Sequence, residues 1–204
     1  MLRLRDETFD PANAAAYNLY LLAGPARLYV AIADVERRKF VVLEEYQLAA
    51  GGVPALAAHH DFLSLRGWNA VRMAVTGRAF TLLPAPLFRA GDEPAALRLH
   101  HTPSPTETVR HTTHPGLELV NVFAADAELA HWLAATYGAT GRLLHHTSAL
   151  LQGWYTSAAP LRPVGSISIL ASKNLPWWYW ASTWSIATYL PAPPPKTWCT
   201  TPFL

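Results

Sequence analysis

An α/β fold built on a mixed sheet is predicted for the residues up to Pro163, on three observations. Three short apolar runs separated by tight turns open the chain, Gly51-Gly52 then breaks it into a helical pattern, and another strand-like run follows. Strands on short loops pair antiparallel as a meander, and a strand reached through a helical crossover lies parallel to its neighbour. The opening order is therefore β-β-β-α-β.

A polar lead-in occupies residues 1–14. Tyr17 to Leu22 is an apolar run closed by the turn signal Ala23-Gly24-Pro25, and Leu28 to Ala33 is the second strand. Asp34 to Lys39 is dense in charge and reads as a solvated hairpin turn. Phe40 to Leu48 is the third strand, with Glu44 among its outward residues. Val53 to Leu65 sets Val53, Leu56, Ala57 and Leu63 among alanines, which is a helix pattern. Ala70 to Val75 is the fourth strand.

Further on, Ala79 to Leu83 reads as a strand, Glu93 to His101 as a short helix, and Thr102 to Thr106 as a Pro-punctuated loop. Leu117 to Phe123 is a strand because β-branched and aromatic residues dominate it. Asp126 suits the N-cap of a helix to Tyr137, with Leu129, Trp132, Leu133 and Thr136 on one stripe and Gly138 as its stop. Arg142 to His146 is a strand, and Thr147 to Tyr155 begins a helix.

Composition bounds the function. The 204 residues suffice for one domain or two small ones, and about half are apolar. All fourteen acidic residues precede Val164, balanced there by fourteen basic ones, so this part offers no electrostatic case for nucleic acid. The lone Cys199 cannot form an internal disulfide, and Met1 to Asp6 carries charge where a signal peptide needs an apolar run. A cytoplasmic setting is expected.

Three doublets, His59-His60, His100-His101 and His145-His146, with His111, His114 and His131, raise the question of a metal site. Neighbouring histidines diverge on a strand and on a helix, so a doublet seldom supplies two ligands to one ion. His111-x-x-His114 has the best spacing but lacks a Cys or carboxylate at ligand distance in sequence, and solvated histidines are the reading adopted. Ser148 beside His145 and His146 lacks a nucleophile elbow, so Thr147 or Ser148 is read as a helix N-cap. Gly51-Gly52 lacks the Lys-Ser/Thr of a phosphate loop. No catalytic or metal-ligating residue is assigned.

Residues 164–204 are of another composition: five of the eight tryptophans, six of the seventeen prolines, no histidine and no acidic residue. Leu175 to Leu190 could lie in a membrane interface, although Lys173, Asn174 and Pro176 interrupt any span, and Pro191 to Lys196 could be a polyproline ligand. Codon arithmetic favours an out-of-frame tail. Tryptophan has one codon, so reading one base upstream forces Val at Trp177-Trp178, Val at Trp178-Tyr179, Leu at Tyr179-Trp180 and Gly at Trp180-Ala181. Permitted choices elsewhere extend VVLG to a β-β-β-α pattern, the order with which the chain opens.

Phe80-Thr-Leu-Leu-Pro84-Ala-Pro-Leu-Phe88, the strand Val120-Asn-Val-Phe123 with its following helix, and His146-Thr-Ser148 resemble a bacterial family, domain of unknown function 3822 (DUF3822), itself similar to the actin-like ATPase superfamily. The resemblance spans residues 15–160 and implies two ribonuclease-H-like subdomains, each β-β-β-α-β-α. Residues 15–163 are then the first subdomain with the start of a connection, and the second is missing. It also implies that phosphate would be held at the first hairpin by an Asp followed two positions later by Gly. Leu22 stands where that carboxylate would be, Pro25 removes an amide, and only Gly24 matches, as a degenerate phosphate hairpin.

The expected function is a non-catalytic cytoplasmic scaffold or assembly factor without cofactor, with an actin-like ATPase binding ATP as the alternative and a membrane protein tethered by its tryptophan-rich tail as the third reading. A protein partner is expected on the face that an incomplete fold leaves exposed, and no nucleic acid and no stable membrane span are expected.

Overall fold

The computed structural model describes residues 3–157. The tail, its frameshift, tether and polyproline readings all lie outside those residues.

The three-strand meander forms as the apolar runs predict: β2 (Tyr17–Ala23), β3 (Arg27–Asp34) and β4 (Lys39–Gln47) pair antiparallel, Tyr20 opposite Ala31 and Val30 opposite Glu44. The helix α1 (Gly52–Ala57) carries the chain across to β5 (Ala70–Val75), which lies parallel beside β2 with Leu21 opposite Met73. After an insertion, α3 (Ala127–Tyr137) leads to β9 (Gly141–His145), parallel beside β5. A short strand, β1 (Arg3–Arg5), pairs antiparallel with β4, giving the sheet order β1-β4-β3-β2-β5-β9.

The insertion is a second, three-stranded sheet. β6 (Phe80–Pro84), β7 (Glu107–His114) and β8 (Leu119–Asp126) pair antiparallel in the order β6-β8-β7, and α2 (Glu93–Arg98) packs on one face through the fully buried Leu97. Its other face turns Phe123 and Ala125 toward Val75 and Leu143 of the large sheet. The last element, α4 (His146–Ser157), packs against β5, β7 and β9 and so touches both sheets.

The main core lies on one face of the large sheet. Leu19, Leu21, Val30, Ile32, Val71 and Met73 point there, covered by Val53 and Ala57 of α1, Leu133 and Tyr137 of α3, and Phe62, Leu63 and Trp68 from the connection to β5. These side chains are almost wholly removed from water, each contributing about 1.5–3 kcal/mol. The Tyr137 hydroxyl donates to the Leu63 carbonyl, and Trp68 Nε1 donates to Leu65 O at 3.0 Å, so the polar ends of both rings are satisfied.

Several expectations need correction. The helix predicted over Val53 to Leu65 ends at Ala57, because His59 and His60 close i→i+3 bonds onto Leu56 and Ala57 and the chain turns. Phe62 and Leu63 are still buried, but from turns rather than from a helix face. The helix predicted to His101 ends at Arg98, and the strand predicted from Leu117 begins at Leu119 after a single 3-10 turn. β7 was not foreseen, and the lead-in contains β1 and a 3-10 helix over Pro11–Ala16 capped by Asp10. The Asp126 cap stands, its carboxylate accepting from Leu129 N at 2.8 Å, and Gly138 ends the helix at φ +55°.

Candidate functional site

A cleft of 940 Å³ lies at the carboxyl ends of β2 and β5, between the large sheet and the insertion. Clefts there are where open α/β sheets bind ligands, because the helices and loops that leave the strands diverge. Ala23, Gly24 and Pro25 form one wall, Gly51 and Gly52 at the start of α1 another, and Thr76, Gly77 and Arg78 a third. The sequence reading that placed a degenerate phosphate hairpin at Gly24 thus falls on this cleft.

The hairpin itself offers little to an anion. Gly24 N donates across the turn to Arg27 O at 2.8 Å, and Pro25 has no N–H. Gly24 is explained by packing, since a Cβ there would meet Thr76 Oγ1 at 3.3 Å. Gly51 and Gly52 stand at φ +88° and +59°, the left-handed region, and a Cβ on Gly51 would meet the Ala55 Cβ at 2.8 Å. Their sequence is therefore dictated by the tight entry into α1, and Gly52 N is already bonded to Ala49 O at 3.1 Å.

Charge in the cleft runs against phosphate. Glu107, Asp126 and Glu128 line it, with Arg78 as the cation among its lining residues. Glu107 accepts from Ser104 N at 2.8 Å and meets His101 Nε2 at 3.1 Å; the Ser104 amide first, and His101 after it, hold this carboxyl below the usual range. Asp126 is committed to its helix cap.

The histidines do not gather. His59, His100 and His131 are exposed. His60 rests on Tyr46 at 2.6 Å, and burial lowers its pKa against the opposing pull of Glu44. His111 and His114, three apart on β7, point to opposite faces: His111 Nδ1 meets Glu93 at 2.9 Å beside α2, whereas His114 is buried under α4. Among the described residues no three His, Cys, Asp or Glu side chains form a metal site.

Ser148 is not paired with His145 or His146 but with His114, Nε2 to Oγ at 3.1 Å. Asn121 Nδ2 donates to Ser148 Oγ at 2.9 Å and to Thr147 Oγ1 at 2.6 Å, and His145 Nδ1 lies 2.8 Å from Thr147 Oγ1. The helix begins one residue earlier than read, so the cap position falls to His145, whose Nδ1 accepts from Thr147 N at 3.4 Å. His114, Asn121, His145 and Ser148 are all at least 96% buried, and the Ser148 hydroxyl does not line the cleft. Burial pushes His114 below its usual pKa; burial and then the neighbouring His146 push His145 down to about 3. These are neutral groups in a seam that fastens the insertion to α4.

A second polar cluster was missed altogether. Glu44, read as an outward residue, is fully buried on the core face of β4. Its Oε1 accepts from Arg3 Nε at 3.2 Å and Arg5 Nη2 at 3.1 Å, and its Oε2 takes the Tyr46 hydroxyl, with His60 Nε2 at 3.7 Å. Burial alone raises a carboxyl pKa, yet the Tyr46 hydroxyl and the two guanidinium groups outweigh it, so Glu44 stays below its usual value. Burial and then Glu44 in turn push the Tyr46 phenol up to about 12. The missed signal was parity: Val42, Glu44 and Tyr46 alternate onto one face, and two of the three are plainly core residues.

A six-stranded mixed sheet with crossover helices, opened by a meander and carrying a cleft at its carboxyl edge, defines an α/β subdomain of the actin-like ATPase fold. The family described as protein of unknown function (DUF3822) matches residues 6–161, and the chain belongs to that family. The fold is similar to a crystal structure from Bacteroides thetaiotaomicron VPI-5482, a protein with actin-like ATPase fold and unknown function: TM-score 0.67 at 17% identity, over 76% of this chain. The chain spans 61% of the length of that protein. The cytoplasmic domain of EpsL, an inner membrane component of the type II secretion system of Vibrio cholerae, matches with a TM-score of 0.39 at 16% identity, over 65% of this chain and 58% of that one. No curated protein matches the chain. No helix among the described residues is long and apolar enough to cross a membrane.

Proposed function

We propose that this is a non-catalytic actin-like-fold protein, a cytoplasmic scaffold or assembly factor working through a protein partner rather than a nucleotide. The observation that carries this reading is the β2–β3 hairpin: Leu22 supplies no carboxylate, the Gly24 amide is spent on Arg27, and Pro25 has none to give. Three carboxylates among the lining residues, against Arg78, support it, because they repel a polyphosphate unless cations neutralise them. The out-of-frame tail belongs to the same proposal, and the nucleotide sequence around the codons for Pro160 to Gly165 tests it: one restored base should open a longer frame.

The cleft favours a second reading. Its position at the ends of β2 and β5 and its volume of 940 Å³ suit a nucleotide-sized ligand. Labelled ATP titrated into a frame-corrected chain separates the two readings. No saturation up to millimolar ATP is expected, and magnesium-dependent binding in the micromolar range would establish the ATPase alternative instead.

A further inference from the structure

We propose that Arg72 and Arg142, side by side on the face of the large sheet turned away from the main core, form a docking site for an acidic segment of a protein partner. The site lies outside the cleft, and the kind of partner it names rests on the reading of the chain as a scaffold.

Strand parity makes the pair. Val71 and Met73 face the main core, so Arg72 between them projects from the opposite face, where Tyr20 stands beside it on β2 and Arg142 beside it on β9. Neighbouring strands lie about 4.8 Å apart, and two guanidiniums at that spacing can close on one carboxylate. Arg142 is exposed on the outermost strand of the sheet order, and Arg72 is half-buried next to it.

The pair lacks a counterion. Arg72 Nη1 donates to the carbonyl of its neighbour Val71 at 3.2 Å, and neither arginine forms an ion pair among the described residues. Burial first, and then the Arg142 guanidinium, hold Arg72 below its ordinary pKa, with Tyr20 pulling the other way. Glu45, which shares this face beside Tyr29, stands three strands from Arg72 and is taken by Arg27 at 2.5 Å. No Asp or Glu follows Glu128, so β9, α4 and everything beyond them supply no carboxylate side chain. A half-buried guanidinium set against another is a cost to folding that an anion from outside removes.

The rest of the face favours a protein segment over a free anion. From Arg72 one level of the sheet runs through Tyr20 and Ala31 to the half-buried Leu43, with Phe40 beside it, as an apolar strip. A groove of 250 Å³ whose lining includes Leu4, Phe40 and Leu43 opens at its far end. A partner chain can set an apolar side chain there while its carboxylate meets the arginines, whereas a free phosphate gains from the arginines alone.

The probe is a hexaglutamate peptide with an uncharged fluorophore, titrated into the full chain at low ionic strength beside a hexaglutamine control. Arg72→Gln/Arg142→Gln should weaken hexaglutamate binding at least tenfold. Arg89→Gln/Arg98→Gln, which removes the same charge from exposed positions, should change it less than twofold. No preference for hexaglutamate, or an equal loss in the two double variants, overturns the site. Millimolar inorganic phosphate, matched in ionic strength with chloride, should leave the peptide bound; complete displacement would make this a site for a free oxyanion and overturn the docking proposal. Arg72→Met gives a readout that misfolding cannot imitate, since removing an unpaired charge should raise the urea midpoint, and a lowered midpoint would assign the guanidinium to the fold itself. The ATP titration decides the scaffold reading separately: absent peptide binding without ATP binding fails this site alone, and micromolar ATP binding beside intact peptide binding fails that reading alone.

Discussion

At the β1 corner, Glu44 brings a full charge into a site without exposure and is held by Arg3, Arg5, Tyr46 and His60; under α4, His114, Asn121, Ser148 and Thr147 meet with no charge at all. The partners differ as much as the charges do. Arg3 and Arg5 keep their stems at the surface and can return to water, whereas His114, Asn121 and Ser148 have none to return to without parting α4 from the insertion. Ionic burial thus sits at an edge whose partners reach water, and neutral hydrogen bonding in a seam whose partners do not.

The largest effect that tests this contrast is acid unfolding. His114, His145 and His146 all have folded pKa values below 6.5, His145 at about 3, with burial as the first cause of each. Because the folded state disfavours the proton, their contribution is complete above pH 6.5 and is lost as the pH falls toward 3. At about 1.4 kcal/mol per pH unit, His145 alone should cost about 3 kcal/mol by pH 4.5. Urea midpoints measured between pH 7 and 4.5 should fall steadily, and a flat profile would mean that the seam accepts protons and is not the neutral region contrasted here.

Replacing Asn121 by alanine acts on the same seam without pH. It removes two donated bonds and leaves Thr147 and Ser148 without that donor in a dry site, for a loss of about 2 kcal/mol. Amide exchange should rise in β7 and at the start of α4 while β2 to β4 stay protected. Uniform loss of protection across both sheets would show that the seam is not local.

How much of this was legible in sequence follows from the same contrast. The meander was read because its apolar runs are its buried strands, the parallel β5 because a helical crossover precedes it, and α3 from its Asp126 cap, although of the expected stripe Leu133 is buried while Leu129, Trp132 and Thr136 are half-buried. β7 was not, because Glu107 to His114 has Val109 as its single aliphatic residue among Thr, His, Arg and Glu, and a half-exposed strand of that kind has no apolar period to detect. β1 was hidden for a sharper reason: three residues with two arginines read as solvated, and only a carboxylate 39 and 41 residues away makes them a strand. Ser148 was noticed beside the wrong histidines, since pairing with His114 depends on how the insertion lies under α4. Gly24, singled out through the family resemblance as a degenerate phosphate hairpin, lies on the cleft lining.

The smallest effect belongs to the charged corner and sharpens the contrast most. Glu44→Gln keeps the shape and some of the hydrogen bonding, and it frees two arginines that are already partly solvated, so a loss of about 1 kcal/mol is expected at pH 7. Its signature is in the pH dependence. Glu44 has a folded pKa below its ordinary 4.5, so its contribution is present above that pH and disappears below it. From pH 6.5 to 4.5 the seam histidines cost both proteins alike, while His60, deprived of the pull of Glu44, disfavours its proton further in the variant, so the gap should widen slightly there and close only below 4.5. Curves already converging at pH 6 would assign the acid sensitivity to the β1 corner, with the charged region then the one that responds to mild acid.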